Sequence, residues 1–246
     1  MRKETGIKLF NPCFLDQLAP HVARAVTGLL DHLNVAWGYP EDQTCCGQFA
    51  WTVGDAATAR RLMRHFLRVF AGAGTILCPS ASCTYMVRHC YPQLAEGPEE
   101  RRAVAALASR VMELGEWLAS RPLPWAPKFE GSLVLHQSCK ARQLGALTGA
   151  REVLSRVRGL ELLTISPYYS CCGFGGTFSL QHPGLSRDIG EAYLAAVTAA
   201  GAGGLVSLDY SCLLHLQGLG RAAARDLKFY HLAEIMTRPG NPPSGS

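Results

Sequence analysis

The chain has 246 residues, of which 48% are hydrophobic and 17% are charged, so it can bury a substantial core and is not a disordered polypeptide. Its formal net charge of +5 comes from 24 basic and 19 acidic residues without a long basic run, which argues against a nucleic-acid partner. The N-terminal residues lack the apolar stretch of a secretory signal, and the uncharged, mainly apolar stretch at residues 192–208 falls short of the roughly 20 residues that a membrane span needs. We therefore expect a cytoplasmic protein with no membrane span.

In the first half of the chain, short apolar runs alternate with amphipathic segments. The pattern predicts a strand at residues 7–10, a helix at 19–34, a short strand at 35–37, a longer helix at 55–70 and a buried strand at 75–78. Alternating strands and helices are typical of a parallel sheet that is covered on both faces.

The second half repeats this order of elements. The corresponding segments are a strand at residues 133–136, a helix at 148–157, a short strand at 162–165, a helix at 185–200 and a buried strand at 205–208. The sequence therefore predicts an α/β protein of two similar Rossmann-like halves with mainly parallel sheets, arising from an internal duplication.

A proline-rich segment separates the two halves. Residues 120–131 are rich in proline and turn-forming residues, which indicates a linker. We predict a first domain at residues 1–121, a second domain at 122–238 and a disordered tail at 239–246.

Cysteine is unusually frequent, with ten residues in the chain. Because the cytosol keeps thiols reduced, we do not expect these cysteines to form disulfides. Metal ligation is then the leading explanation, since thiolates bind soft metals. The alternative for any single cysteine is that it serves as a small buried hydrophobic residue.

One cysteine motif occurs twice, and this repeat favours ligation. Each copy has a single cysteine, then a Cys-Cys-Gly sequence that begins 32 residues later, then a Ser-Cys pair. The motif cysteines are Cys13, Cys45, Cys46 and Cys83 in the first half, and Cys139, Cys171, Cys172 and Cys212 in the second. Loops that follow parallel strands gather at the carboxyl edge of a sheet. We therefore expect the thiols to meet at two pockets, four in each.

Four converging thiolates match the ligand demand of an iron–sulfur cluster or of zinc. Adjacent cysteines in an extended segment point apart, which favours a cluster of several irons over a single zinc ion. Gly47 and Gly173 allow a sharp turn after each Cys-Cys pair, and Gly175 and Gly176 would let main-chain amides approach a cluster sulfur. A thiol redox sensor that uses the adjacent cysteines is a further alternative, although such a pair forms a strained bridge.

The motif residues also resemble a known family. The segments CCGQF and CCGFGGTFS, with the upstream cysteines and the later PSASC and DYSC, look like the two CCG cysteine-rich domains of the lactate-utilisation protein A family. The same domain occurs in the glycolate oxidase iron–sulfur subunit and in one of the subunits of heterodisulfide reductase. The segments HQSCKARQLG and HLAEIM also look like the lactate-utilisation branch.

The resemblance implies an iron–sulfur electron-transfer subunit of a complex that oxidises L-lactate or glycolate. It implies clusters of the [4Fe–4S] type held by the eight motif cysteines, and partners that comprise the other subunits of the complex and an electron acceptor. The chain would then be an oxidoreductase component rather than a stand-alone enzyme. The alternative function is a non-redox scaffold subunit that zinc staples together.

The sequence departs from the family pattern at the end of each motif. The family's fullest pattern ends in CxxC, but the first positions here are Ser80 and Asp209. Asp209 could supply an oxygen ligand or cap the helix that starts near Ser211, and Ser80 could cap the helix that carries Cys83. Cys78 could replace the missing thiolate of the first half or serve as a buried structural residue.

Two further residues lie near the motifs. His136 precedes Cys139 by three positions, so it could ligate a metal in the second half or be a satisfied core histidine. Cys90 lies outside the motif, and we expect it to be structural.

Overall fold

The computed structural model describes residues 6–238 of the chain. The tail at residues 239–246, which is predicted to be disordered, lies outside the described residues. The first half contains strands β1 (Ile7–Leu9), β2 (Trp37–Gly38), β3 (Ile76–Cys78) and β4 (Val111–Glu113), and helices α1 (Cys13–Leu18), α2 (Pro20–His32), α3 (Gln48–Thr52), α4 (Ala56–Val69), α5 (Ala81–Tyr85), α6 (Tyr91–Leu94), α7 (Gly97–Ala108) and α8 (Leu114–Ala119), with a π-helical turn at Met86–Cys90 between α5 and α6.

The second half contains the corresponding strands and most of the corresponding helices. They are β5 (Lys128–Leu135), β6 (Arg158–Leu163), β7 (Gly204–Ser207) and β8 (Lys228–His231), and α9 (Cys139–Leu144), α10 (Leu147–Ser155), α11 (Phe178–Gln181), α12 (Pro183–Ala199), α13 (Tyr210–Ala222) and α14 (Leu232–Met236).

Each half forms a four-stranded parallel sheet, and the two sheets have the same strand order. The order is β2-β1-β3-β4 in the first half and β6-β5-β7-β8 in the second. The register also corresponds, because Leu9 pairs with Leu77 and Leu135 pairs with Val206. The predicted α/β fold of two similar halves with parallel sheets is therefore confirmed.

The fourth strand of each sheet is not evident from the sequence pattern. Strand β4 has three residues and ends in Glu113, and β8 begins with Lys228 and ends with His231. Both strands lie at the edge of a sheet, so they need no long apolar run and give little of the signal by which a buried strand is recognised.

Each sheet lies between a central core and an outer core. In β3, Leu77 faces the central core, whereas Ile76 and Cys78 face the outer core of the first half, as expected when successive side chains of a strand point to opposite faces. Helices α4, α6 and α7 cover the outer core of the first half, and α12 and α13 cover that of the second. Helices α1, α2, α8, α10 and α14 fill the central core between the two sheets.

Across this central core, the last helix of each half packs against a helix of the other half. Helix α8 of the first half packs against α10 of the second, and α14 of the second packs against α2 of the first. The close approach of α8 and α10 depends on Gly149, where a Cβ atom would lie 3.1 Å from the backbone of Glu116. The halves therefore share a core, and the domain boundary after residue 121 remains a proposal.

Candidate metal centre

The eight motif cysteines all line one cavity of about 410 Å³ between the two halves. The sequence predicts that they converge at two pockets, but the two groups of thiols open into the same space. The reason is the packing of the helices that carry motif cysteines: α5 contacts α9, and α1 contacts α13, so the carboxyl edges of the two sheets face each other. Three aromatic side chains also line the cavity, namely Phe14, Phe49 and Phe174.

The four motif thiols of the first half form a continuous series of side-chain contacts. Cys13 Sγ is 3.7 Å from Cys45 Sγ, and Cys46 Sγ is 3.4 Å from Cys83 Sγ. The thiol of Cys46 also interacts with that of its neighbour Cys45. Both cysteines of the adjacent pair therefore reach the same group, in contrast to the divergence expected for an extended segment.

Hydrogen bonds between these thiols favour the thiolate form at two positions. Those from Cys13 and then from Cys46 lower the pKa of the Cys45 thiol to about 3. Those from Cys46 and then from Cys78 lower the pKa of the Cys83 thiol to about 5. The same contacts raise the pKa of the Cys13 and Cys46 thiols, so near neutral pH two thiolates, the form that binds metal, lie beside two protonated thiols.

Local backbone geometry positions the cysteines of the first half. Ser80 caps α5 by accepting a hydrogen bond from Cys83 N, which confirms the predicted cap. Gly47 has φ of +86°, and its N–H donates to Cys45 Sγ at 3.4 Å. A side chain at this φ would be strained, so glycine allows both the turn and the approach of the amide to the sulfur.

The second half has a more open arrangement. Cys139 and Cys171 are exposed at the cavity, whereas Cys172 and Cys212 are buried and interact with each other. Gly173 has φ of +86°, as Gly47 has, and its N–H donates to Cys171 Sγ at 3.4 Å.

The predicted approach of backbone amides to sulfur is thus found in this half, but it involves partly different residues. The amides that reach sulfur are those of Gly173 and Phe174, the latter donating to Cys172 Sγ at 3.5 Å. The sequence predicts this role for Gly175 and Gly176, for which no such bond is found among the described residues.

His136 lies against the buried thiols of the second half. A ring nitrogen of His136 and the sulfurs of Cys172 and Cys212 all lie within 4.8 Å of one another. His136 is completely buried, and neither ring nitrogen has a hydrogen-bond partner among the described residues. The expectation of a satisfied core histidine is therefore wrong, and burial lowers its pKa to about 4, which leaves the imidazole neutral near neutral pH.

Asp209 does not cap its own helix, contrary to one of the two predicted roles. Its side chain makes no capping hydrogen bond to α13. Its Oδ1 instead accepts hydrogen bonds from Ser80 Oγ at 2.9 Å and from Ser82 N at 2.8 Å, and its Oδ2 accepts one from Ser138 Oγ at 2.6 Å. Because both oxygens are engaged, a positioning role is favoured over ligation, and ligation by Asp209 remains an untested prediction.

Sequence reasoning missed Ser138, which links Asp209 to the second half. Its hydroxyl accepts a hydrogen bond from Ala141 N and so caps α9, the helix that begins with Cys139. A serine directly before a helix is a recognisable capping signal, but its contact with Asp209 depends on packing. Of the two remaining cysteines, Cys78 is buried beside Cys83, and Cys90 is buried at the edge of the cavity.

The donor set is well suited to bind metal. It combines eight thiols, a buried histidine without a hydrogen-bond partner and a cavity that they surround. Sulfur and imidazole nitrogen are ligands of zinc and of iron–sulfur clusters.

Within residues 6–238, no helix has the length and apolar character needed to cross a membrane.

Comparisons with known proteins agree with this geometry. The model of a family described as a cysteine-rich domain, CCG, matches residues 7–88 and 133–217. The chain is 32% identical to Lactate utilization protein A of Geobacillus sp. (strain WCH70) over 234 residues, which cover 94% of this chain and 98% of that protein. It is 31% identical to Lactate utilization protein A 2 of Bacillus cereus (strain ZK / E33L) over 236 residues, with the same coverage of both proteins.

A solved structure shares the fold at much lower sequence identity. The crystal structure of a hypothetical protein from Helicobacter pylori is similar with a TM-score of 0.69 and 10% identity, over 98% of this chain and 50% of that one. This chain thus spans about half the length of that protein, and the likeness shows the fold alone. Since the family model matches both halves and the relatives cover nearly the whole chain, this chain belongs to the CCG cysteine-rich domain family and to the family of lactate utilization protein A.

Proposed function

We propose that this chain is the iron–sulfur electron-transfer component of a system that oxidises L-lactate or glycolate. The observation that carries the proposal is the convergence of all eight motif thiols on one cavity. The relatives named for lactate utilization support the substrate class. Oxidation of the hydroxy acid would then take place on partner subunits, and a separate acceptor would receive the electrons.

Each half would hold its metal centre through its own four motif cysteines. Iron–sulfur clusters supply one-electron transfer when they are bound. The chain's own groups would tune the reduction potential, because the amides of Gly47, Gly173 and Phe174 donate hydrogen bonds to cysteine sulfurs. The aromatic rings of Phe14 and Phe49 stack at a centroid distance of 6.0 Å and form an apolar part of the cavity wall.

A zinc-stapled scaffold without a redox role is the second candidate, and one observation favours it. A tetrahedral zinc site with Zn–S bonds of about 2.3 Å places its sulfurs about 3.8 Å apart. In the first half, the sulfur separations of 3.7 Å between Cys13 and Cys45 and 3.4 Å between Cys46 and Cys83 are close to that value. Because both cysteines of the adjacent pair reach one group, their adjacency does not exclude zinc.

Metal and sulfide analysis after anaerobic purification distinguishes the two functions. We expect iron and acid-labile sulfide in the wild type, with iron falling by about half in Cys46→Ser and in Cys172→Ser, since each variant removes one central ligand from one half. Ser109→Ala, which alters an exposed serine that does not line the cavity, serves as the control and should keep the wild-type content. A colourless protein that contains zinc and no sulfide would instead establish the scaffold.

A further inference from the structure

The two halves differ at the position that directly follows the first strand. Phe10 N donates to Leu77 O at 2.9 Å, and His136 N donates to Val206 O at 2.8 Å, so the two residues hold the same place in their sheets. The Phe10 ring is packed by Phe66, with ring centroids 4.8 Å apart. The first half thus shows that this place accepts a wholly apolar aromatic ring.

The second half places an imidazole there without giving it a hydrogen-bond partner in the protein. His136 is completely buried, its ring packs edge-on against Tyr193 at 4.9 Å, and both nitrogens are unpaired among the described residues. A buried polar group without a partner destabilises the fold, so a ring that only filled space would be better replaced by phenylalanine. An unpaired nitrogen beside two buried thiols is accounted for if it binds a metal.

The position of Cys78 also differs between the halves, but here it is the first half that carries the residue able to bind metal. Cys78 lies beside Cys83 and gives the first half a fifth thiol, whereas its counterpart Ser207 accepts a hydrogen bond from Asp209 N at 3.1 Å. A further donor therefore lies beside the buried motif cysteines of each half, but it is the sulfur of Cys78 in the first half and the ring nitrogen of His136 in the second.

We propose that His136 donates a ring nitrogen to the metal centre of the second half, alongside Cys172 and Cys212, so that the two centres are chemically unlike. This inference rests on the proposed metal binding and deepens it. The first centre has sulfur donors only, and the second has sulfur and nitrogen donors. Neutral imidazole adds no negative charge where Cys78 offers the first half a further thiolate, so the second centre is expected to be the more easily reduced of the two.

Pulsed EPR of the reduced protein, labelled with ¹⁵N in histidine only, tests the ligand directly. We expect a strongly coupled ¹⁵N nucleus in the wild type and its loss in His136→Phe, which copies the residue of the first half. The matched control is His215→Gln, a half-buried histidine of the same half that is not part of the cluster; it should retain the coupling. A wild-type spectrum without strong ¹⁵N coupling, from protein with full iron and sulfide content, would overturn the inference and leave the proposed function intact.

Two further measurements keep the outcome decisive. If His136→Phe does not fold, His136→Cys replaces it, and we expect that variant to lose the ¹⁵N coupling and to lower the reduction potential of one centre only. If the wild type contains zinc without iron or sulfide, the proposed function fails, and zinc K-edge absorption then tests the ligand. A nitrogen scatterer that disappears in the His136 variant would support the inference, and sulfur scattering alone would refute it.

Discussion

Glu113 and His231 hold equivalent places at the ends of β4 and β8, and each begins a short helix with a capping box. Glu113 Oε2 accepts hydrogen bonds from the backbone N–H groups of Gly115 and Glu116, while its Oε1 has no partner among the described residues. His231 places Nε2 3.2 Å from Pro79 O of the first half and 3.3 Å from Leu208 O of its own half. Two different titratable residues thus have the same structural role.

The Glu113 carboxyl predicts a pH dependence of stability. Desolvation raises its pKa from 4.5 to about 8, so between these values the folded chain holds a proton that the unfolded chain releases. Its stabilising contribution is complete below pH 4.5 and is lost as the pH rises to about 8. We expect Glu113→Gln, which replaces the proton-bearing oxygen by an amide, to match the wild type near pH 5 and to exceed it by on the order of 4 kcal/mol at pH 8.5.

Urea unfolding at several pH values from 5 to 9 measures this difference. The buried histidines His136 and His231, whose pKa values are lowered to about 4, are present in both proteins, so their contributions cancel in the comparison. Glu161→Gln alters an exposed glutamate of β6 and should follow the wild type at every pH. Parallel stability curves for the wild type and Glu113→Gln would show that Glu113 is ionised in the folded protein.

At the scale of the elements, the two Cys-Cys-Gly turns have the same backbone but different surroundings. Gly47 and Gly173 share a φ of +86°. A Cβ atom at Gly173 would lie 2.2 Å from Ser186 O on the backbone of α12, whereas at Gly47 the nearest contact is 3.4 Å, to the side chain of Leu62. Helix α12 therefore packs directly on the turn of the second half.

Alanine substitutions at these glycines should have unequal effects. The left-handed conformation alone costs an alanine about 1–2 kcal/mol, so we expect Gly47→Ala to lose that much stability and to keep its metal. In Gly173→Ala the turn must also separate from α12, so we expect a larger loss and a fall of about half in bound metal. Urea unfolding and metal analysis compare the two variants, and equal losses would contradict the role assigned to α12.

The elements also show how far the sequence could predict the site. The first three strands of each sheet, the Cys-Cys-Gly turns and the Ser80 cap depend on local periodicity and residue type, so the sequence predicts them. The single cavity depends on the contact of α5 with α9, which no spacing within either half encodes. The packing of distant segments likewise decides that the ring nitrogens of His136 have no hydrogen-bond partner among the described residues and that Ser138 donates a hydrogen bond to Asp209.

At the scale of the whole molecule, Asp209 joins the helices that carry cysteines from both halves. Its carboxylate binds Ser80, whose hydroxyl caps the helix of Cys83, and Ser138, whose hydroxyl caps the helix of Cys139. The same residue directly precedes α13, which carries Cys212. One buried carboxylate therefore fixes three cysteine-bearing helices in relation to each other, within a core that the two halves already share.

This arrangement predicts that a change in the second half disturbs the metal centre of the first. Asp209→Ala removes three hydrogen bonds to a carboxylate and deprives the hydroxyl groups of Ser80 and Ser138 of the oxygen to which they donate, so we expect a loss on the order of 3 kcal/mol in unfolding free energy. Placed on the Cys172→Ser background, where only the first centre remains, Asp209→Ala should lower the residual metal content by more than half.

Asp209→Asn keeps one acceptor and offers a donor to Ser138, so it should retain most of that metal. Asp188→Ala, an exposed aspartate of α12, is the matched control and should have no effect. A first centre that keeps its full metal content in the Asp209→Ala variant would show that the two halves bind metal independently.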